Sequence, residues 1–557
     1  MNTTSSLRLV IVGGVAAGAS AAARARRLSE SAAITLIERG PDVSFANCGL
    51  PYFIGGEIKS RDALAVQTPQ TLKAMLNLDV RTSTEVIAID RATKHVQLRD
   101  VASGTTASLP YDKLVLAPGA VPLRSALPGI DDARIFTLRS LQDMDRIKAA
   151  ATTAQRVAVI GAGFIGLEMA EQFAHLGKQV TLVELTDQIL PPLDPRMTLL
   201  LEDELRRHHI DLVLGDSVAA FETGPALTCR LASGRTVAAD LVVLSIGVHP
   251  DTALARAAGL TLGKRGHICV NGFMQTSDPD IYAAGDAIET TDFVTHEPAA
   301  VPLGGPANRQ GRLAADHIFR PAATQPYPGA LGTAIVRAFD AAAGLTGWTE
   351  KRLRAAGRAY RTVTVNDNHH AGYFPGAKPL LLKLLWDPAT GRVLGAQATG
   401  LAGVDKRLDV IATAITGGLT IDDLAQLELA YAPPFGAAKD IVNLAGFTAC
   451  NARDGLVTPL DALPDDPAVQ ILDVRPPALV QSHPLPRAGA INIPLGALRT
   501  RLGELDRTRP VVTVCALGKT AYFAARILAQ HGFQVSALTG GIRAHFDPRS
   551  PAKLPTP

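Results

Sequence analysis

Five cysteines in 557 residues are too few, and an odd number, for the disulfide framework of a secreted protein. A reducing compartment is the expectation, the cytoplasm in particular. Long apolar runs are missing as well, and nothing approaches the ~20 residues of a membrane span. The stretch from Met1 to Gly14 holds one short run, with neither the length nor the cleavage site of a signal peptide. Nor is there an excess of one charge. The 55 basic and 52 acidic residues leave a net of +3, which makes no electrostatic footprint for nucleic acid or anionic lipid. Any anion must therefore be met by a local site. Apolar material is plentiful, at 47% of residues with a mean hydropathy of +0.15, enough for ordinary cores and too much for a disordered chain. A chain several times the usual ~150-residue domain is expected to fold as several units.

Leu9, Val10, Ile11 and Val12 form a run suited to a buried parallel strand. Gly13, Gly14, Val15, Ala16, Ala17 and Gly18 follow, then an alanine-rich helix to about Leu28. Residues 34–37 read as the next parallel strand. It ends on Glu38, twenty residues past Gly18, where a dinucleotide fingerprint places an acid for a ribose hydroxyl. Such glycines let the chain turn sharply and approach a pyrophosphate lying on a helix N-terminus, whose open N–H groups and dipole favour anions. Val15 departs from the pattern at its middle glycine, so this segment alone also reads as a plain strand–turn–helix. A complete G-x-G-x-x-G comes later: a strand over residues 156–160, then Gly161, Ala162, Gly163, Phe164, Ile165 and Gly166, a helix to about Leu176, and a strand ending on Glu184. The Glu184 carboxylate is expected to repel a 2′-phosphate and so to favour NADH over NADPH. Two such sites on one chain suggest two cofactors exchanging electrons. Two more signals are residues 114–120, containing Ala117 and Gly119, and residues 276–286, ending Gly285-Asp286 with a carboxylate suited to a flavin hydroxyl. No metal site is expected.

These four ordered motifs resemble the flavin- and pyridine-nucleotide-dependent disulfide reductases over about residues 7–450. The resemblance implies an α/β protein with two Rossmann-like domains, one for FAD (7–120 and 248–325) and one for NADH (121–247), followed by an α+β dimerisation domain (330–450). It also adds Arg39, Gly247 and Pro302 to the cofactor lining.

Ser44-Phe45-Ala46-Asn47-Cys48-Gly49-Leu50-Pro51-Tyr52 stands where such enzymes carry their redox centre. The usual Cys-x4-Cys is reduced to Cys48, and the next cysteine is Cys229, so a resolving thiol must come from elsewhere. A substrate thiol is the simplest supplier, since a thiolate that attacks a disulfide or persulfide leaves a mixed disulfide. A buried, inert cysteine is the alternative. The string is similar to that of coenzyme A-disulfide reductases and their persulfide-reducing relatives. By that resemblance Cys48 pairs with coenzyme A, Ser44 and Asn47 line the thiol channel, and Arg24 and Arg27 meet its phosphates. The subfamily's basic residue near Leu76 is absent, which leaves Lys73 to stand in. Tyr373 and Tyr431 would donate to the leaving thiolate in a site shared between the subunits of a homodimer, and Lys439 would bind phosphate. Asn308 and Arg309 would lie near flavin or coenzyme A. Solvated arginines and interface-packing tyrosines are the plainer alternatives.

Beyond residue 447 that pattern stops, and residues 461–467 read as a linker. Residues 471–475, 489–494 and 511–514, ending on Cys515, resemble an α/β rhodanese domain, placed at 461–548. A thiolate at this strand-to-helix turn, with a helix expected over 521–530, would face a nest of backbone N–H groups that stabilises a persulfide. Rhodanese loops usually end in arginine where this chain has Thr520, so Lys519 is left to supply charge, and a docking-only module is the alternative. Together these features imply an FAD-dependent NADH reductase acting on a small-molecule thiol, persulfide, polysulfide or coenzyme A disulfide, with the rhodanese domain handling sulfane sulfur. Two rivals stay open. One is an NADH oxidase or peroxidase using a Cys48 sulfenic acid, although Ala16 stands where such relatives have histidine. The other is a redox- or sulfur-responsive binding protein.

Overall fold

The computed structural model describes residues 6–485, 487 and 489–545. Residues 1–5 of the N-terminal stretch, and 546–548 at the expected end of the last domain, lie outside these. The described residues form two compact units, one over 6–187 with 209–332, and the other over 188–208 with 333–545.

The first unit builds one design twice. In the first copy Arg8–Val12 lies between Ala33–Ile37 and Lys113–Leu116, and Asp79–Arg81 and Ile281–Ala283 complete a five-stranded parallel sheet. In the second, Arg156–Ile160 lies between Gln179–Glu184 and Leu241–Leu244, with Asp211–Leu214 and Ile135–Thr137 at the edges. The central strands are buried almost throughout, from Leu9, Val10 and Ile11 to Leu241, Val242 and Val243. That follows from a parallel sheet covered on both faces, and it is why these strands read as unbroken apolar runs. Each copy adds a three-stranded antiparallel ribbon, Thr84–Asp90 with His95–Asp100 and Thr106–Pro110, and Val218–Glu222 with Leu227–Leu231 and Thr236–Ala239. Strand Ile281–Ala283 returns the chain to the first sheet after the second is complete. Small residues then bring helices Ala16–Leu28 and Gly304–Phe319 together: a Cβ on Gly311 would fall 2.0 Å from the Ala17 carbonyl oxygen.

In the second unit a five-stranded antiparallel sheet runs in the order Ala334–Ala338, Ala341–Gly347, Val393–Gly400, Pro379–Trp386, Arg361–Asn368. It is accompanied by helices Val404–Thr416 and Ile441–Arg453. A separate five-stranded parallel sheet follows, in the order Thr458–Leu460, Val535–Leu538, Val511–Val514, Gln470–Asp473, Ile491–Asn492. Its first strand precedes residues 461–467, so the expected linker lies inside this domain; an edge position tolerates Pro459. The helix after Cys515 starts at Lys519, two residues early, because Gly518 at φ +92° makes the turn. Among the described residues no helix is long and apolar enough to cross a membrane.

Candidate functional site

Both glycine turns are held by the same two constraints. Gly13 (φ +96°) and Gly161 (φ +100°) adopt a backbone that side chains disfavour, and an added Cβ would fall 2.0 Å from the Ala117 oxygen or 2.4 Å from the Ser245 oxygen. Gly163 differs. Its φ is −73°, and a Cβ there meets nothing within 4 Å. Glycine at that position serves open space rather than the fold. Val15 caps the first helix at φ −104°, ordinary extended backbone, which explains how it replaces the pattern's middle glycine. Neither Val15 nor Gly163 makes a side-chain cap bond, and neither first turn carries an acid. The helix N–H groups, beginning at Ala16-Ala17-Gly18 and at Phe164-Ile165-Gly166, are therefore available to a phosphate.

Each expected acid sits on its own turn. Glu38 accepts the Gly14 N–H and the Gly40 N–H, both at 2.8 Å. Glu184, 7% exposed, accepts the Ala162 N–H at 2.7 Å and the Thr186 N–H and hydroxyl at 2.9 and 3.0 Å. Arg39 reaches Asp251 at 3.5 Å and Glu85 at 3.8 Å. Gly119 (φ +75°), Gly247 (φ +114°) and Gly285 (φ +84°) turn the chain beyond their strands. The Gly285 N–H donates to buried Gln310 at 2.9 Å. Burial pushes the Asp286 carboxyl up, and Arg139 partly offsets it. Such an acid suits a hydroxyl partner. These open helix ends, the empty space at Gly163 and the half-buried Asp286 fit two dinucleotides.

The redox loop is stitched to the first glycine turn by the Ser44 N–H, which donates to the Gly14 oxygen at 2.8 Å, with Ser44 held at φ +51°. Asn47–Gly49 forms one 3-10 turn on which Asn47 and Cys48 reach solvent, and helix Leu50–Ile54 follows directly. Partial burial raises the Cys48 thiol above its ordinary range, and the carboxylates of Glu168 and Asp286 raise it further. Burial pushes Cys229 up to about 12 and Cys450 up to about 11, and raises Cys269. Cys229 and Cys450 are thereby held as thiols near neutral pH. Among the expected coenzyme A contacts, Arg24 is engaged by Asp316 at 2.5 Å, Arg27 is exposed, and Lys73 donates to Asn77 at 2.9 Å. Pro302, Asn308 and Arg309 are exposed at and along helix Gly304–Phe319, and Asn308 accepts the Ser20 hydroxyl at 2.7 Å.

In the second unit, two loops 58 residues apart bring the Tyr373 and Tyr431 hydroxyls to 2.8 Å. The Ala371 N–H donates to the Gly436 oxygen at 2.8 Å, and Arg407 ties the same loops by donating to the His369 oxygen and to Asp440. The Arg407–Asp440 pair is buried, while Lys439 beside it is exposed. Both tyrosines are exposed, and their hydrogen bond raises the Tyr373 phenol. Cys515 is buried, and its Sγ accepts the Gly518 N–H at 3.1 Å and the Ala521 N–H at 3.2 Å. Residues 540–543 clamp that loop: the Ile542 N–H donates to the Cys515 oxygen at 2.8 Å and the Arg543 N–H to the Ala516 oxygen at 3.0 Å. Lys519 and Thr520 stand exposed at the first turn of the helix.

Sequence reasoning missed Gln310, the 540–543 clamp, and Tyr52, whose hydroxyl donates to Glu168 at 3.2 Å. The only available signal was spacing, four residues past Cys48 and two past Gly166. It also missed the grouping of Glu57, Glu171 and His175, whose potential ligand atoms lie within 4.8 Å of one another where no metal site is expected. Gln172 donates to Glu57 in that group at 2.7 Å.

Two glycine turns with their acids, a flavin-type Gly-Asp turn and a nearby cysteine define an FAD- and NAD(P)-dependent oxidoreductase. The chain belongs to the pyridine nucleotide-disulphide oxidoreductase family, which matches residues 7–304; the family's dimerisation domain matches 333–441 and a rhodanese-like domain matches 456–545. It is 35% identical over 446 residues to the coenzyme A disulfide reductase of Staphylococcus haemolyticus (strain JCSC1435), covering 79% of this chain and 99% of that one. Among solved structures it is similar to reduced Bacillus anthracis CoADR-RHD, with 45% identity and a TM-score of 0.94 over 97% of this chain and 98% of that one. It is also similar to an NAD-dependent persulfide reductase from A. fulgidus, with 38% identity and a TM-score of 0.92 over 97% and 100%.

Proposed function

We propose that this chain is a cytoplasmic, homodimeric NADH-dependent reductase of sulfur carried on coenzyme A, the persulfide first and the disulfide second, with Cys48 as its one redox cysteine. The observation that carries this reading is Cys48 itself. It is an exposed thiol on a loop bonded to the first glycine turn, while Cys229 is buried and Cys269 and Cys450 are only partly exposed. The sulfur that pairs with it must then arrive with the substrate.

FAD, when bound, supplies the two-electron relay between NADH and sulfur. Glu38 and the first helix N-terminus hold one dinucleotide, Glu184 and the second hold the other, and Glu184 disfavours a 2′-phosphate. The Cys48 thiolate attacks the coenzyme A-bound sulfur of the persulfide and forms a mixed disulfide, and hydrosulfide leaves. With coenzyme A disulfide the leaving group is a coenzyme A thiolate. Two electrons then cleave the mixed disulfide and release both sulfurs as thiolates. The Tyr373–Tyr431 pair, with the Tyr373 phenol held protonated, donates to the departing coenzyme A thiolate. Cys515, with two backbone N–H groups on its sulfur, is suited to carry a sulfane sulfur. The presence of that domain favours persulfide as the first substrate.

Cys48→Ser is expected to abolish NADH-dependent reduction of both substrates with FAD still bound; unchanged turnover sinks the mechanism. Shared sites are tested by co-expressing Cys48→Ser with Tyr431→Phe. In a two-fold dimer with composite sites, the mixed species has one site with both lesions and one with neither. Purified heterodimer is expected to recover about half of wild-type activity. No recovery places Tyr431 with its own chain's cysteine.

A further inference from the structure

We infer that Glu57, Glu171 and His175 form a binding site for a divalent cation of the zinc type, which clamps the segment after the redox helix to the helix that follows the second glycine turn. Glu171 and His175 stand one turn apart on helix Phe164–His175, so both side chains project from the same face. Glu57 lies on the segment that follows helix Leu50–Ile54. One ligand atom from each of the three falls within 4.8 Å of the other two, and His175 Nδ1 is 3.7 Å from Glu57 Oε1. Ligands held about 2.0–2.2 Å from an ion stand about 3.3–3.6 Å apart in a tetrahedron, so small rotations of the side chains suffice to close the site.

The surroundings of the group favour a cation. Glu171 is fully buried, whereas Glu57 and His175 are exposed, which leaves a path from water. Two carboxylates this close repel, and burial raises the cost of charge on Glu171; a cation between them relieves both. The amide of Gln172 is a second and independent observation. It is also fully buried and points at the segment carrying Glu57: Nε2 donates to Glu57 Oε1 at 2.7 Å, and a Cβ on Gly55 would fall 1.9 Å from Oε1. That oxygen has no hydrogen-bond donor among the described residues, and so adds a further lone pair beside the carboxylates. The imidazole sets the class of ion, because nitrogen suits zinc and its transition-metal neighbours, while calcium and magnesium prefer oxygen ligands.

The test uses full-length, FAD-loaded protein, stripped with a chelator and then equilibrated with zinc chloride. Zinc held by thiols is common to every variant, so the readout is a difference. Wild type is expected to retain one zinc per chain more than His175→Ala or Glu57→Gln, measured by elemental analysis after dialysis. Zinc at about 100 times its Kd is expected to raise the Tm of wild type by about 2 °C more than that of either variant. In crystals grown with zinc, an anomalous difference peak is expected among the three side chains. Both substitutions fall on exposed residues, and unchanged FAD content shows that each variant is folded. Equal zinc content and equal Tm shifts in wild type and both variants overturn the inference and leave His175 and Glu57 as an ion pair. A shift of the same size with calcium chloride also overturns the assignment.

Discussion

Gly161 and Gly163 belong to one motif, but the structure assigns them different work, and alanine at each position separates fold from ligand. At Gly163 the backbone is at φ −73° and an added Cβ has no neighbour within 4 Å. Alanine fits without strain, and by restricting the unfolded chain it is expected to leave stability equal or raise it by up to ~1 kcal/mol. The methyl then occupies the space through which a pyrophosphate approaches the backbone. Displacing one charge-assisted hydrogen bond costs about 1.5–3 kcal/mol, which corresponds to a KM for NADH raised about 10- to 150-fold. At Gly161, φ +100° and a Cβ 2.4 Å from the Ser245 oxygen force the turn to move. Strain and overpacking of this kind cost about 1–3 kcal/mol each, so Tm is expected to fall by at least ~4 °C. The assays are thermal denaturation of FAD-loaded protein and steady-state NADH kinetics at saturating acceptor. The reasoning is refuted if Gly163→Ala lowers Tm as Gly161→Ala does, or if its KM for NADH stays within about twofold of wild type.

Glu184→Gln is expected to narrow the ratio of kcat/KM for NADH over NADPH from both sides, because it removes like-charge repulsion and weakens the acceptor of the Ala162 N–H; an unchanged ratio contradicts that role. Cys515→Ser is expected to lower sulfur transfer from thiosulfate while NADH-dependent reduction of coenzyme A persulfide continues, and loss of both means the two cysteines act in obligatory series. Asp240 accepts the Gln155 and Arg156 N–H groups and the Arg156 guanidinium, which lowers its pKa from 3.8 to about 2. A carboxylate depressed by folding stabilises the fold above its unfolded pKa and loses that contribution as pH falls through the folded one. The Tm difference between wild type and Asp240→Asn is therefore expected to be full above pH 4 and to close near pH 2.

The parallel sheets were legible because burial on both faces leaves continuous apolar runs, and because a turn that must approach phosphate selects glycine locally. Glu38 and Glu184 bond to their own turns within one strand–turn–helix–strand unit, and spacing located them with Gly13 and Gly161, although the carbonyls that crowd those glycines, of Ala117 and Ser245, lie beyond that unit. What escaped depends on where distant segments meet. Arg24 and Arg27 could be placed on one helix face, but Asp316, which engages Arg24, lies 292 residues away. Tyr373 and Tyr431 entered through resemblance; their hydrogen bond depends on two loops drawn together by Arg407 and Asp440, whose buried pairing has no local signature. The Tyr52–Glu168 bond spans 116 residues and joins the redox loop to the second glycine helix. These cases share a physical cause. Cofactor cradles are built from backbone, which local sequence dictates, whereas the groups that tune a sulfur's protonation are side chains delivered by different elements. A motif can therefore locate Cys48, but only the assembled fold shows that two carboxylates oppose its ionisation. In this chain, where the cysteine sits is encoded locally, and how readily it ionises is encoded by the tertiary structure.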